Sequence, residues 1–135
     1  MQYYKLVIFD WDGTLMDSVE RIVSSMQSAA KTVGLTIPSN DDVKQIIGLS
    51  LNVGLEKLFS AITPEQVEAM LVQYKYEYLE GDKTPTPLFD NAMTLLSTLK
   101  KSSKLLAVAT GKGREGLNRV LQVSETNHLF NTTRC

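Results

Sequence analysis

The 135 residues leave room for one ordinary domain, or one domain with a small insert. An apolar content of 43%, 21% charged residues and a net charge of −1 describe a soluble globular composition and exclude a basic nucleic-acid or anionic-membrane footprint. No apolar run approaches the roughly 18–20 residues of a membrane span, and a single Cys with a single His excludes both an internal disulfide and a His/Cys zinc site, so a reducing, cytoplasmic setting is expected. From the N-terminus, residues 4–9 read as a strand with both faces covered, because Leu6, Val7, Ile8 and Phe9 are consecutive apolar positions. Val19, Ile22, Val23, Met26, Ala29, Ala30 and Val33 follow at helical spacing and stop at Gly34; Asp17 with Glu20 suggests a capping box at the start. Short helices are expected near 41–47 and 51–60. Thr63-Pro64-Glu65-Gln66 opens another helix, carrying Val67, Met70, Leu71, Tyr74 and Tyr78 and ending before Gly81. "GDKTPTP" (81–87) reads as a linker. A helix with Ala92, Leu95, Leu96 and Leu99 comes next, then a second buried strand at 104–109 and a helix at about 114–122.

Two buried strands that each end in small polar residues predict a parallel α/β sheet, with ligands gathering at the carboxyl ends of the strands. The helical stretch between them is too long for a simple crossover. It is expected to form a small inserted domain at 17–81, with the sheet domain built from 1–16 and 82–135. Arg21, on the polar side of its helix, reads as a solvated residue.

The chemistry concentrates in "DWDGTLMDS". Asp10 and Asp12 are two apart, so an extended backbone sends both to one side. Adjacent carboxylates repel unless a cation lies between them or one stays protonated. Gly13 lets the backbone turn and brings amides toward an anion. Acids together with amide donors suit a phosphoryl group carried with Mg²⁺, a hard ion that joins carboxylate to phosphate. One Asp then attacks phosphorus while the other moves the proton. A calcium loop of the EF-hand type is set aside, because the positions that need Gly and Glu hold Leu15 and Arg21.

These residues carry a resemblance. "DWDGTLMDS" is similar to the first motif of the haloacid dehalogenase-like hydrolase superfamily, and "LLAVATGK" (105–112) resembles its second. The helical insert resembles the superfamily's cap, and the phosphoglycolate phosphatase and β-phosphoglucomutase group resembles the chain most. The resemblance implies a Rossmann-like parallel sheet core, incomplete here, with an inserted helical cap. It implies Asp10 as nucleophile and Asp12 as general acid and base. Mg²⁺ would be held by the Asp10 carboxylate and the Asp12 carbonyl. The Gly13 amide and the Thr110 hydroxyl would hold the phosphoryl oxygens. Gly111 and Gly113 flank Lys112 ahead of the helix at about 114–122, where free amides favour an anion; Gly111 and Lys112 are therefore candidates for phosphate binding, with a solvated loop lysine as the other reading of Lys112. "IIGLS" (46–50) resembles a cap loop, which implies Gly48 and Ser50 for the substrate side. Asn91 stands where the family usually has Gly, and Asn accepts the same left-handed backbone.

The expected activity is a Mg²⁺-dependent phosphatase acting on a small phosphorylated metabolite. A phosphomutase built on the same two aspartates is the alternative, and a non-catalytic fragment acting by partner binding is a third. The family's two later motifs, a Lys and an acidic pair, are implied to lie beyond residue 135, since no Asp or Glu follows Glu125. The chain is therefore expected to be the N-terminal part of a longer phosphatase, with little turnover by itself. The open sheet edge such a fragment leaves would invite self-association.

Overall fold

A computed structural model describes residues 4–135. In chain order the elements are β1 (Leu6–Phe9), α1 (Val19–Val33), α2 (Asn40–Ile46), α3 (Leu51–Leu58), α4 (Pro64–Tyr76), α5 (Ala92–Lys101), β2 (Leu105–Ala109), α6 (Arg114–Val123) and β3 (Thr132–Arg134). The chain divides into two compact units, Met1–Asp17 with Pro87–Cys135, and Ser18–Thr86. Among the described residues no helix is long and apolar enough to cross a membrane.

The first unit holds a parallel sheet in the order β1-β2-β3. The register pairs Val7 with Leu106 and Phe9 with Val108, which sets these four side chains on one face. Both connections advance across the sheet in the same direction, so right-handed crossovers put α5 and α6 on that same face. There Trp11, Leu96, Leu99, Leu106, Val108, Leu117 and Leu121 form one core. Asn131 fastens β3 to β2: its side-chain oxygen accepts from Leu106 N–H at 3.0 Å, and its own N–H donates to Leu106 O at 2.7 Å.

The other face carries Leu6, Ile8 and Leu105, which are 46%, 59% and 49% exposed. This corrects the expectation of a β1 buried on both faces. Four consecutive apolar residues mark a strand with two covered faces, but among the described residues helices pack against one face only. β2 comes closer to the expectation, with Leu106, Ala107 and Val108 all buried. In α5 the buried stripe is Ala92, Leu96 and Leu99, and Leu95 turns outward. Asn91 precedes the helix at φ +66°, the left-handed backbone expected of it.

The second unit is built on α1. Ile22, Val23, Met26, Ala29 and Ala30 are buried there with Val43, Leu55, Met70 and Tyr78. Gly34 ends α1 at φ +84°, its N–H returning to Ala30 and Lys31 carbonyls. The start of α1 differs from expectation. Ser18 is the N-cap, without a side-chain cap bond, and the Asp17 N–H donates to Pro87 O at 2.8 Å. Asp17 thus closes the sheet unit rather than capping the helix. Thr63 and Gln66 do form the reciprocal capping box, at 3.0 and 3.2 Å. α4 runs on into a π-helical turn, Glu77–Gly81.

Residues 82–86 have a linker's composition yet are held to the helical unit. The Arg21 guanidinium donates to Tyr78 O and Thr84 O and lies 5.1 Å from the Tyr78 ring centre, so it is a clasp rather than a solvated residue. Asp82 accepts from the Ser24 and Ser25 hydroxyls and from Thr84 N–H. Burial raises the Asp82 carboxyl, and the hydrogen bonds from Ser24, Thr84 and Ser25 more than offset that, leaving its pKa below the ordinary carboxylate value. A carboxyl with a lowered folded-state pKa stabilises the fold above its unfolded pKa, and that contribution fades as pH falls through the folded value. The stability difference between wild type and Asp82→Ala is therefore expected at neutral pH and should narrow below about pH 4, as urea unfolding across pH will record.

Candidate active site

β1 runs out at Phe9, and the next three residues alternate. Trp11 is wholly buried. Its indole N–H points at the Met16 sulfur, 3.3 Å away, and its ring meets Phe130 edge-on with centroids 6.2 Å apart. With Trp11 committed to the core, extended backbone directs its two neighbours the other way. Asp10 is exposed, and one of its carboxylate oxygens accepts the Trp11 N–H at 2.7 Å.

The chain then folds tightly around one carbonyl. Trp11 O accepts from the N–H groups of Thr14, Leu15 and Met16 at 3.0–3.2 Å. Gly13 sits at φ +75° inside this turn, and its N–H donates to Met16 O at 2.9 Å. The Gly13 amide expected for phosphoryl oxygens is thus already bonded within the loop. What the glycine supplies is the left-handed backbone that reverses the chain behind Asp12.

Beside it, β2 ends at Ala109. Thr110 N–H donates to Arg134 O at 3.0 Å, which ties the loop to β3. The Thr110 hydroxyl oxygen accepts from Lys112 N–H at 3.1 Å and keeps its own proton to donate. Gly111 is half-buried between them, and Gly113 is the N-cap of α6.

The β2 loop also reaches the β1 turn. Lys112 Nζ lies 3.3 Å from Asp12 Oδ2, with the two side chains only 10% and 11% exposed. Sequence reasoning left Lys112 as a phosphate contact or a solvated loop lysine; the structure sets its ammonium beside Asp12. The alternation in D-W-D was the available signal for a buried Trp11. No local pattern announced the Lys112–Asp12 pair, whose members are a hundred residues apart. Gly48, at φ +97°, and Ser50, the N-cap of α3, belong to the helical unit.

Among the described residues no group of three or more His, Cys, Asp or Glu side chains is placed to hold a metal ion. The Asp10 carboxylate and the Asp12 carbonyl are nonetheless hard oxygen donors. Mg²⁺ is content with one or two protein oxygens when water and a substrate phosphate complete its shell, so the residues present fit one side of a Mg²⁺ site.

A family model described as haloacid dehalogenase-like hydrolase matches residues 7–135. The phosphoglycolate phosphatase of Pasteurella multocida is 30% identical over an alignment covering 96% of this chain and 62% of that protein. The tyrosine-protein kinase PtkA of Mycobacterium tuberculosis is 36% identical over 87% of this chain and 40% of its own length. A solved hydrolase from Pseudomonas syringae superposes with a TM-score of 0.83 at 27% identity, covering 97% of this chain and 61% of that one. The chain thus spans less than two thirds of the length of each of these relatives.

Proposed function

This chain belongs to the haloacid dehalogenase-like hydrolase family, and we propose on that premise that it serves phosphoryl transfer from a small phosphate monoester. The observation that carries the reading is the meeting, at the carboxyl ends of two paired parallel strands, of the Asp10-to-Thr14 turn with the Thr110 loop. Asp10 is the nucleophile, Asp12 the acid and base, and Thr110 a donor to a phosphoryl oxygen.

An Asp10 carboxylate oxygen attacks phosphorus, and the ester P–O bond breaks. The departing oxygen takes a proton from the Asp12 carboxyl, leaving a phosphoryl group on Asp10. Water, losing a proton to Asp12, then attacks that phosphorus and frees inorganic phosphate. The Thr110 hydroxyl is aimed to bond an oxygen whose charge grows in both steps. Mg²⁺, bound by the Asp10 carboxylate and the Asp12 carbonyl, would supply positive charge against the phosphoryl oxygens. The α2–α3 loop with Gly48 and Ser50 is the proposed source of substrate choice, with phosphoglycolate or a sugar phosphate as first candidates.

Two proteins test this: the 135-residue chain, and a chimera joining it to the part of the Pasteurella multocida phosphatase that lies outside the matched region. Phosphate release is measured from phosphoglycolate, sugar phosphates and ATP, with Mg²⁺ and with EDTA. ATP is included because a relative is named a tyrosine-protein kinase. Mg²⁺-dependent release is expected from the chimera and little from the chain alone, because two donors form only one side of a metal site. No release from the chimera on any ester would overturn the reading, and equal release from both would overturn the expectation of little turnover from these 135 residues alone.

A further inference from the structure

We propose that Lys112 is the positioning residue of Asp12, a built-in countercharge that aims the Asp12 carboxylate and lets two aspartates stand two positions apart without any bound cation. The inference rests on the phosphoryl-transfer reading for the use made of Asp12, but its own test needs neither turnover nor a phosphorylated ligand.

The geometry separates this role from the two others a loop lysine takes. A solvated lysine would keep its ammonium in water, yet this side chain is nine-tenths buried and ends 3.3 Å from Oδ2 of an equally buried Asp12 side chain. A lysine reserved for phosphate would stand clear of the acid that serves it, whereas this ammonium lies 3.3 Å from Asp12 Oδ2. Exposed ion pairs contribute little because water screens them; a pair withdrawn from water is different, because removing one partner strands the other charge.

The loop is built to hold that ammonium in place. Lys112 N–H bonds the Thr110 hydroxyl, and Thr110 N–H bonds Arg134 O, so the lysine backbone is fixed to the sheet. Arg114, two residues on, donates to the Thr133 hydroxyl at 2.6 Å and anchors the start of α6 to β3. Gly116 leaves room for the lysine stem: a Cβ there would stand 3.2 Å from Lys112 Cγ and 3.4 Å from Cδ. The side chain therefore passes close over Gly116 and ends at Asp12. With one positive charge beside it, Asp12 no longer adds a full negative charge to that of Asp10, and the pair is tolerated before any divalent ion arrives.

Four versions of the 135-residue chain test the proposal: wild type, Lys112→Met, Asp12→Asn and the double exchange, unfolded by urea in EDTA. Lys112→Met is expected to lower the folding constant about a hundredfold or more, and to do so several-fold less when residue 12 is already Asn. A cycle in which the two effects simply multiply would overturn the proposal. Lys112→Gln serves as the second variant if the Met protein does not fold, with the same coupling expected.

A second readout separates positioning from packing. Titrated with Mg²⁺ by calorimetry, Lys112→Met should bind the ion about fivefold or more tightly than wild type, because a competing positive charge has gone. An affinity unchanged by Lys112→Met, or no ion bound by that variant, would also overturn it. Should the phosphoryl-transfer reading fail instead, the chimera would release no phosphate while the unfolding cycle stayed coupled.

Discussion

Asp10→Asn is expected to lower Mg²⁺-dependent phosphate release by the chimera at least about 10³-fold. The amide nearly matches the carboxylate in shape, and it still accepts the Trp11 N–H that the Asp10 oxygen accepts at 2.7 Å. Folding should therefore survive, and the loss would be chemical: an amide oxygen does not displace an alkoxide from phosphorus, and no phosphoryl group can rest on residue 10. Asp12→Asn gives the informative contrast. A substrate with a good leaving group, such as p-nitrophenyl phosphate, needs little protonation on departure, so Asp10 should still be phosphorylated. Without a base for water, the second step slows by about 10²–10⁴-fold, and acid-quenched samples should accumulate label on Asp10. Wild-type rates from Asp10→Asn, or no trapped label in Asp12→Asn, would remove Asp10 from the nucleophile's role.

Trp11→Ala should be the most destabilising single exchange around the site, costing about 3–5 kcal/mol. Trp11 is among the largest fully buried side chains, it closes the core against Phe130, and its indole N–H is directed at the Met16 sulfur. A loss of that size is a large part of the 5–15 kcal/mol or so typical of a folded domain. The site would suffer with the fold, because the alternation that buries Trp11 is what turns Asp10 and Asp12 to the opposite side of the chain. Trp11→Phe keeps an aromatic ring in the core and loses the N–H···S contact, so it should cost much less. Urea unfolding followed by far-UV circular dichroism measures all three proteins. The single tryptophan of the chain also makes wild-type fluorescence a direct report on this core. A cost of about 1 kcal/mol or less for Trp11→Ala would mean that Trp11 does not hold the β1 turn in place.

The features legible in the sequence were those that neighbours within a turn decide. Thr63 and Gln66 cap α4, and Asn91 takes the left-handed backbone, because each depends on atoms three or four residues away at most. The stripe Ile22, Val23, Met26, Ala29 and Ala30 announced α1 by its period alone. The Asp10-to-Leu15 pattern likewise marks the end of β1 at Phe9. Where a local rule failed, a distant partner had intervened: Asp17 left its capping role because its amide bonds Pro87.

Tertiary structure alone decided the rest. Leu6 and Ile8 belong to an apolar run that reads as doubly covered, and only packing reveals that, among the described residues, no helix lies against one of those faces. Arg21 looked like a solvated residue until the chain returned, more than fifty residues later, with the Tyr78 and Thr84 carbonyls. Lys112 was legible as a cation beside a phosphate loop, but its partner was not, because the partner arrives on another strand. Propensity and periodicity are properties of a short stretch of chain. Burial and charge pairing are properties of whichever strands and helices come to lie side by side, and the register of β1 against β2 is what brings Lys112 to Asp12.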